Sequence, residues 1–383
     1  MRLATSGIPV NIRDNLVGTI ALREMAVDER DQRIRLFVEG QTPDAKALQG
    51  YLAILAVEKI PPDIRLPAVE RLRDFDHFRE GDVVAIDFGS GFVRSLYRPA
   101  ETHHSLFATE RCNSHCLMCS QPPKDRDDIP ELLARNLSLI PLMKPAPPYL
   151  TITGGEPTLL GKDLFTLLHA LKEHLSQTEI HMLTNGRTFA WPAFSQDLAA
   201  VAHPNFSVGI PLYSDFAQDH DYVVQAKGAF DQTMAGLHQL ARNGIRVEIR
   251  VVLHKLTIPR LTKLAEFIYR NLSFVEHIAL MGLEHTGYTP RNIDQLWIDP
   301  FDYQDELHET VEFLEQRDMA VSLYNQQLCV LRPSLWRFAK KSISDWKNVY
   351  ISECDQCART GDCGGLFKWT AHKHSEHIHP LPA

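Results

Sequence analysis

The sequence predicts an α/β protein: a parallel βα array curled as a full or partial barrel of about six units, with a small mixed domain before it and a cysteine-rich extension after it. Three observations carry this. From Ser105 onward, apolar strand-like runs and helical patterns alternate six times; residues 1–104 have a different texture; and the seven cysteines fall into two groups, three within 112–119 and four within 329–363.

The N-terminal segment closes with "GDVVAIDFGSGFVRSLYRP", two alternating apolar runs around Gly89-Ser90-Gly91, which reads as a β-hairpin. The array then runs "HSLFAT", a helix near 129–143, "YLTIT", a helix 161–176, "EIHMLT", a short helix near 192–202 and "FSVGIPLY". It continues with a helix 229–243, "RVEIRVVL", a helix 259–271, "VEHIALMGL" and a helix 301–317. After Ala320 the pattern changes to "AVSLYN" and a Trp- and Lys-rich stretch, which places a boundary near 318. Three domains are expected: 1–104, 105–318 and 319–383. In βα arrays functional groups collect on loops after the carboxyl ends of the strands, and the first cysteine group follows the first strand.

Composition narrows the function. With 383 residues, 44% of them hydrophobic, the chain can bury one large core or several smaller ones. A net charge of −8, with Lys and Arg dispersed, gives no field for a nucleic-acid backbone. The first twenty residues lack the apolar run of a signal peptide, and no run of about 18 apolar residues occurs, so a cytoplasmic protein outside the membrane is expected. Thiols stay reduced there. An odd, clustered set of cysteines then points to metal or catalysis rather than to disulfides.

In "RCNSHCLMCSQPP", Cys112, Cys116 and Cys119 have the spacing C-x3-C-x2-C. A loop with these gaps can wrap three thiolates around a 4Fe-4S cluster and leave one iron open to chelate a substrate or cofactor. The alternatives are a zinc site completed by His115 or a distant residue, and three unrelated buried thiols.

This motif after the first strand, followed by "TGGEPTLL" after the second, resembles the radical S-adenosylmethionine (radical SAM) superfamily over roughly residues 105–283. The resemblance implies that the open iron binds S-adenosylmethionine, which one electron cleaves to a 5′-deoxyadenosyl radical. It implies that Gly154, Gly155 and Glu156 receive the methionyl amino group; glycines allow close backbone approach and a carboxylate suits an ammonium. It places ribose contacts at Thr184 and Asn185 of "TNGR", for which a simple Asn-Gly turn is the alternative. Ser214 is a candidate in the segment after the fourth strand, although Pro211 stands where the family commonly has serine. Arg250, inside "VEIRVVLHK", could pair the methionyl carboxylate or form a salt bridge within the barrel. "ALMGLEHTGY" ends the sixth strand and is a candidate to pass beneath adenine, its Met and Leu otherwise being core.

Cys329 and the C-x2-C-x5-C set Cys354, Cys357 and Cys363 supply four thiols, a complete site for a second, auxiliary 4Fe-4S cluster, with four-cysteine zinc as the competitor. The spacing resembles the twitch or SPASM extensions of peptide-modifying radical enzymes. The full SPASM pattern fails, because Phe367 stands where its next cysteine would be. The tail "HKHSEHIHPLPA" gathers His372, His374, His377 and His379 and reads as a flexible polar segment, with metal binding the alternative; "FAKKSISDWKNVY" reads as an amphipathic surface segment.

The wording "ERCNSHCLMCSQPPKDRDD" is similar to the His-Xaa-Ser system radical SAM maturases, C-type subgroup. That resemblance implies post-translational modification of a ribosomally made peptide or small protein and an external electron donor, and it admits a sister radical enzyme as partner. Two other functions stay open: a radical enzyme acting on a nucleotide or small metabolite in cofactor biosynthesis, and a non-catalytic iron–sulfur carrier or scaffold. No residue declares itself a general acid or base.

Overall fold

The computed structural model describes residues 3–41, 44–341, 348–367 and 373–382. The central part of the expected amphipathic segment, 342–347, and His372 of the tail lie outside the described residues. The chain forms two compact units: Met1–His104 with Pro130–Leu150 and His169–Thr178, and Ser105–Ile129 with Thr151–Leu168 and Glu179–Ala383.

The first unit contains a mixed sheet in which short Val- and Ile-rich runs take the extended conformation that branched side chains favour. Its strands are β1 (Ala4–Ser6), β2 (Ile8–Val10), β3 (Leu16–Ala21), β4 (Arg33–Phe37), β5 (Ala53–Ala56), β6 (Ala68–Glu70), β7 (Val83–Ile86) and β8 (Phe92–Tyr97), in the order β1-β8-β7-β3-β4-β5-β6-β2. The β3 to β6 pairs are parallel and the flanking pairs antiparallel. Both faces are buried, one around Ile20, Ile34, Leu55 and Val84, the other around Leu48, Tyr51, Ile54 and Ile60. β7 and β8 form the hairpin expected around Gly89-Ser90-Gly91; Gly91 has φ 62°, and Ser90 Oγ donates to Asp87 Oδ1 at 2.6 Å to close the turn. Helix α1 (Ile129–Leu139) runs on into a 3-10 turn (Ile140–Leu142).

The second sheet has the order β16-β15-β14-β13-β12-β11-β10-β9. Its strands are β9 (His103–Phe107), β10 (Tyr149–Thr153), β11 (Glu179–Leu183), β12 (Phe206–Pro211), β13 (Arg246–Leu253), β14 (His277–Gly282), β15 (Val321–Tyr324) and β16 (Ala339–Lys340). From β11 to β16 all neighbours pair in parallel, the sheet of a partial barrel. It runs past residue 318 because "AVSLYN" forms β15 beside β14. Connecting helices are α2 (Lys162–His174), α3 (Pro192–Val201), α4 (Ala217–Val224), α5 (Ala229–Arg242), α6 (Leu261–Asn271), the single turn α7 (Ile293–Leu296) and α8 (Gln304–Glu315). Each long helix buries residues at three- and four-residue spacing, such as Leu261, Leu264, Ala265 and Ile268 of α6. In β13 the alternation is strict: Val247, Ile249, Val251 and Leu253 are buried, while Glu248 and Arg250 share the other, half-buried face. A final small hairpin joins β17 (Asn348–Val349) to β18 (Leu366–Phe367). Among the described residues, no helix is long and apolar enough to cross a membrane.

Candidate functional site

The loop after β9 is held at both ends by backbone pairing with the turn after β10. Ala108 N donates to Thr153 O at 2.8 Å, Gly155 N to Thr109 O at 2.7 Å and Glu156 N to Arg111 O at 2.8 Å. This contact is why the two glycines are needed. A Cβ on Gly154, where φ is 145°, would lie 2.6 Å from Thr109 O, and one on Gly155 would collide with the Arg111 carbonyl oxygen. Asp128 fastens the loop's start, accepting from Thr109 Oγ1 at 2.6 Å and from Glu110 N at 2.7 Å.

The cysteine stretch itself lies along α4 and the turns after β14. His115 N and Leu117 N donate to the carbonyls of Val224 and Val223, Asn292 Nδ2 donates to Leu117 O at 2.8 Å, and Tyr288 N donates to Cys119 O at 2.9 Å. Leu117 and Met118 fill a small core with Tyr213, Val223 and Leu296. So anchored, Cys112, Cys116 and Cys119 are all partly buried and close enough to influence one another's ionisation. Burial pushes the Cys112 thiol up to about 11 and the Cys116 thiol up to about 12, and neighbouring thiols add in the same direction.

Glu156 is wholly buried, yet its carboxylate is fully engaged: Oε1 accepts from Thr158 N at 3.0 Å, Thr158 Oγ1 at 2.7 Å and Thr184 Oγ1 at 2.7 Å, and Oε2 accepts from Asn185 N at 2.7 Å. The side chain therefore works inward, tying the turn after β10 to the turn after β11. Asn185 Nδ2 reaches Asn113 Oδ1 at 2.5 Å, in the cysteine loop. Three strand ends are thus joined.

Arg187, the last residue of "TNGR", is an unassigned member of this set. Its Nη1 donates to Asn113 O at 2.6 Å and Ser114 Oγ at 3.0 Å, while Nε donates to Gln232 Oε1 at 2.7 Å, so a cation braces the cysteine loop and lowers the Cys116 thiol. Its one legible signal was its place directly after the Asn-Gly turn.

Ser214 and Arg250 make contacts of their own. Ser214 is buried and accepts from Phe216 N at 3.1 Å, closing a local turn before α4. Arg250 Nη1 donates to Glu248 Oε1 at 2.5 Å and its Nη2 lies 3.1 Å from Met281 Sδ, so it forms the salt bridge within the barrel that was the alternative. Glu248 is the hub of a polar row across the half-buried face: His277 Nδ1 lies 2.7 Å from Oε2, His277 Nε2 lies 2.9 Å from Ser322 Oγ, and His181 Nδ1 lies 2.9 Å from Ser207 Oγ. Burial alone would raise the Glu248 carboxyl, but hydrogen bonds from His181 and His277 and the charge of Arg250 hold it well below the usual carboxylate range.

The four C-terminal cysteines come together as well. All of them line one pocket, although among the described residues no group of three or more His, Cys, Asp or Glu side chains is drawn together closely enough to hold a metal ion. Cys329 and Cys354 are partly buried beside Val330, Leu366 and Ile378, and each senses the charge of Cys363. The tail is not the flexible segment expected from its composition. Ser375 and Ile378 are buried, and the His377 ring stacks on Phe301 with centroids 3.6 Å apart.

Comparison with known proteins follows this geometry. Residues 106–268 match the family model described as the radical SAM superfamily. The chain is 26% identical over 179 residues to a pre-heme d1 synthase of Dinoroseobacter shibae, covering 45% of this chain and 43% of that protein. It is 30% identical over 152 residues to an Fe-coproporphyrin III synthase of Methanosarcina barkeri, covering 39% of this chain and 36% of that one. The chain thus spans less than half the length of these curated relatives. A structure of Streptococcus suis SuiB bound to S-adenosylmethionine is similar with a TM-score of 0.46 and 16% identity, covering 61% of this chain and 52% of that chain. The cysteine loop, the Gly154–Glu156 turn and the Thr184–Asn185 turn all fall inside the segment that matches the radical SAM superfamily model.

Proposed function

We propose that the protein cleaves S-adenosylmethionine reductively at a 4Fe-4S cluster held by Cys112, Cys116 and Cys119, and uses the outcome to modify a ribosomally made peptide or small protein of the His-Xaa-Ser type. The observation that carries the reading is the junction of three strand ends: three thiols on one loop, a glycine turn pressed against that loop, and a Thr-Asn turn tied to both through Glu156. The donor set suits the group. Three buried thiols that resist ionisation next to one another become good ligands once a cationic cluster offsets their charge.

Bound there, cluster and cofactor supply a 5′-deoxyadenosyl radical. The chain's own residues would do the rest: Asn113, Arg187 and Asn292 fix the loop, Gly154 and Gly155 would present backbone to the methionyl amino group, and Thr184 and Asn185 would contact the ribose. Cys329, Cys354, Cys357 and Cys363 hold a second cluster, whose four protein ligands leave no iron for the cofactor. An external electron donor in the cytoplasm supplies the electron, and a sister radical enzyme shares the substrate.

A second reading has its own support. The curated relatives are named for making heme-type cofactors, which favours a small-metabolite substrate for the same radical chemistry. One experiment separates the readings. Anaerobically reconstituted protein, given S-adenosylmethionine and dithionite, should release 5′-deoxyadenosine, and Cys112→Ala, Cys116→Ala and Cys119→Ala should each abolish the release. Co-expression with the peptide encoded beside the gene should change that peptide's mass. Release of 5′-deoxyadenosine with an unchanged peptide transfers the case to the metabolite reading, and no release at all supports a carrier or scaffold.

A further inference from the structure

The chain's last residues contact the second cysteine set through backbone as well as side chains. Leu381 N donates to Cys357 Sγ at 3.3 Å, while Leu381 O accepts from Ala358 N at 3.0 Å, so one residue of the tail is bonded twice to the C-x2-C loop. Cys363 is served locally, its sulfur accepting from Gly365 N at 3.4 Å. Ile378 packs beside Cys329 and Cys354, and Ile378, His379 and Leu381 line the space that the four sulfurs surround.

We propose that the segment 377–382 is a built part of the auxiliary site, in which Leu381 is a positioning residue whose backbone N–H bonds the Cys357 sulfur and whose side chain lines the site. This rests on the auxiliary-cluster reading above. Reduction adds negative charge that is shared by the cysteine sulfurs, so N–H donors aimed at them favour the reduced form and raise the reduction potential. Exclusion of water has a separate consequence: it slows the escape of iron to a chelator.

The decisive variant is Leu381→Pro in the full-length protein reconstituted with iron and sulfide. It removes the N–H at a position already flanked by Pro380 and Pro382, and replaces the leucine side chain as well. Leu381→Ala is the control, because it keeps the donor. An EPR-monitored redox titration should place the auxiliary cluster of Leu381→Pro at a more negative potential than wild type, with Leu381→Ala unchanged, and iron release to a chelator should be faster in the prolyl variant. A wild-type potential in Leu381→Pro, or an equal shift in Leu381→Ala, overturns the proposal. Loss of the auxiliary signal from Leu381→Pro, with retention of the barrel cluster's signal and of both signals in Leu381→Ala, also assigns the donor; loss in Leu381→Ala as well assigns the effect to packing and overturns it. Wild-type protein that binds only one cluster's iron removes the auxiliary-cluster reading itself, a result distinct from a two-cluster protein whose potential ignores its tail.

Discussion

Glu156 shows how far a single residue can be read before its neighbours are known. Its place in Gly-Gly-Glu at a strand end was plain in the sequence, and so was the need for close approach at the glycines. The direction of its carboxylate was not, because the four donors that saturate it come from Thr158, Thr184 and Asn185, the latter two separated from it by a whole βα unit. The expectation at this scale follows from the donors. Glu156→Ala should leave two buried backbone N–H groups and two hydroxyls without their acceptor, a loss of about 2 kcal/mol or more in stability, since each buried polar group left unpaired costs on the order of 1–3 kcal/mol. Because the turns after β10 and β11 lose their tie, affinity for S-adenosylmethionine should fall alongside. Iron bound by Cys112, Cys116 and Cys119 should remain at the wild-type level, as none of those cysteines is bonded to Glu156. Denaturant titration and equilibrium dialysis measure the two effects, and unchanged affinity in the destabilised variant would confine Glu156 to a purely structural role.

Elements were legible where periodicity was strong and hidden where polar residues interrupt it. β13 matches "RVEIRVVL" residue for residue, because alternation along a strand depends only on its two faces. α4 escaped notice, because "AQDHDYVV" buries His220 along with Val223 and Val224, and a histidine on an apolar face breaks the hydropathic signal. The polar row on β11 to β15 was equally hidden, since it is assembled from one residue per strand. Its hub makes a specific expectation. Glu248→Gln should cost about 3 kcal/mol, because Arg250 keeps its charge in a half-buried place without a counter-ion. A double-mutant cycle with His277→Gln should return a coupling of at least about 0.5 kcal/mol, and additivity would place the two residues in separate networks. Acid sensitivity comes from another position, His254 in the loop after β13. It is fully buried, accepts from Leu256 N at 3.2 Å through Nδ1, and burial pushes it from 6.5 to about 3. Its folded value lies below its unfolded one, so the unfolded chain binds the extra proton between those limits, and stability falls as the pH drops through 6.5 toward 3. Between pH 6.5 and 5.5 this amounts to about 1 kcal/mol, and His254→Asn, which keeps an acceptor for Leu256 N, should flatten that part of the melting-temperature profile.

At the scale of the molecule, the division of seven cysteines into three and four was visible in spacing alone, and the structure gathers each set in its own place. What spacing could not convey is that the sets have unequal surroundings. The first is held by loops from strands β9 to β14, so its geometry depends on the sheet as a whole. The second is held by β17, β18, the C-x2-C loop and the chain's last residues, with Gln327 and Leu328 also lining it and Phe301 stacked on the tail. Loss of the second should therefore leave the first intact. A variant with Cys354→Ala and Cys357→Ala together should lose about half of the reconstituted iron, since two clusters of the same type share it equally. It should still convert S-adenosylmethionine to 5′-deoxyadenosine, because that cleavage needs only the open iron of the first cluster. On the proposed peptide-maturase reading it should fail to modify a peptide substrate, because the second site would either shape the peptide-binding extension or accept an electron from the substrate. Metal analysis distinguishes the occupant, for a zinc site would lose zinc while iron stayed constant. Mass spectrometry of the peptide distinguishes the role: maturation at the wild-type rate in the double variant would make the second site dispensable and take from the peptide-maturase reading its main structural support.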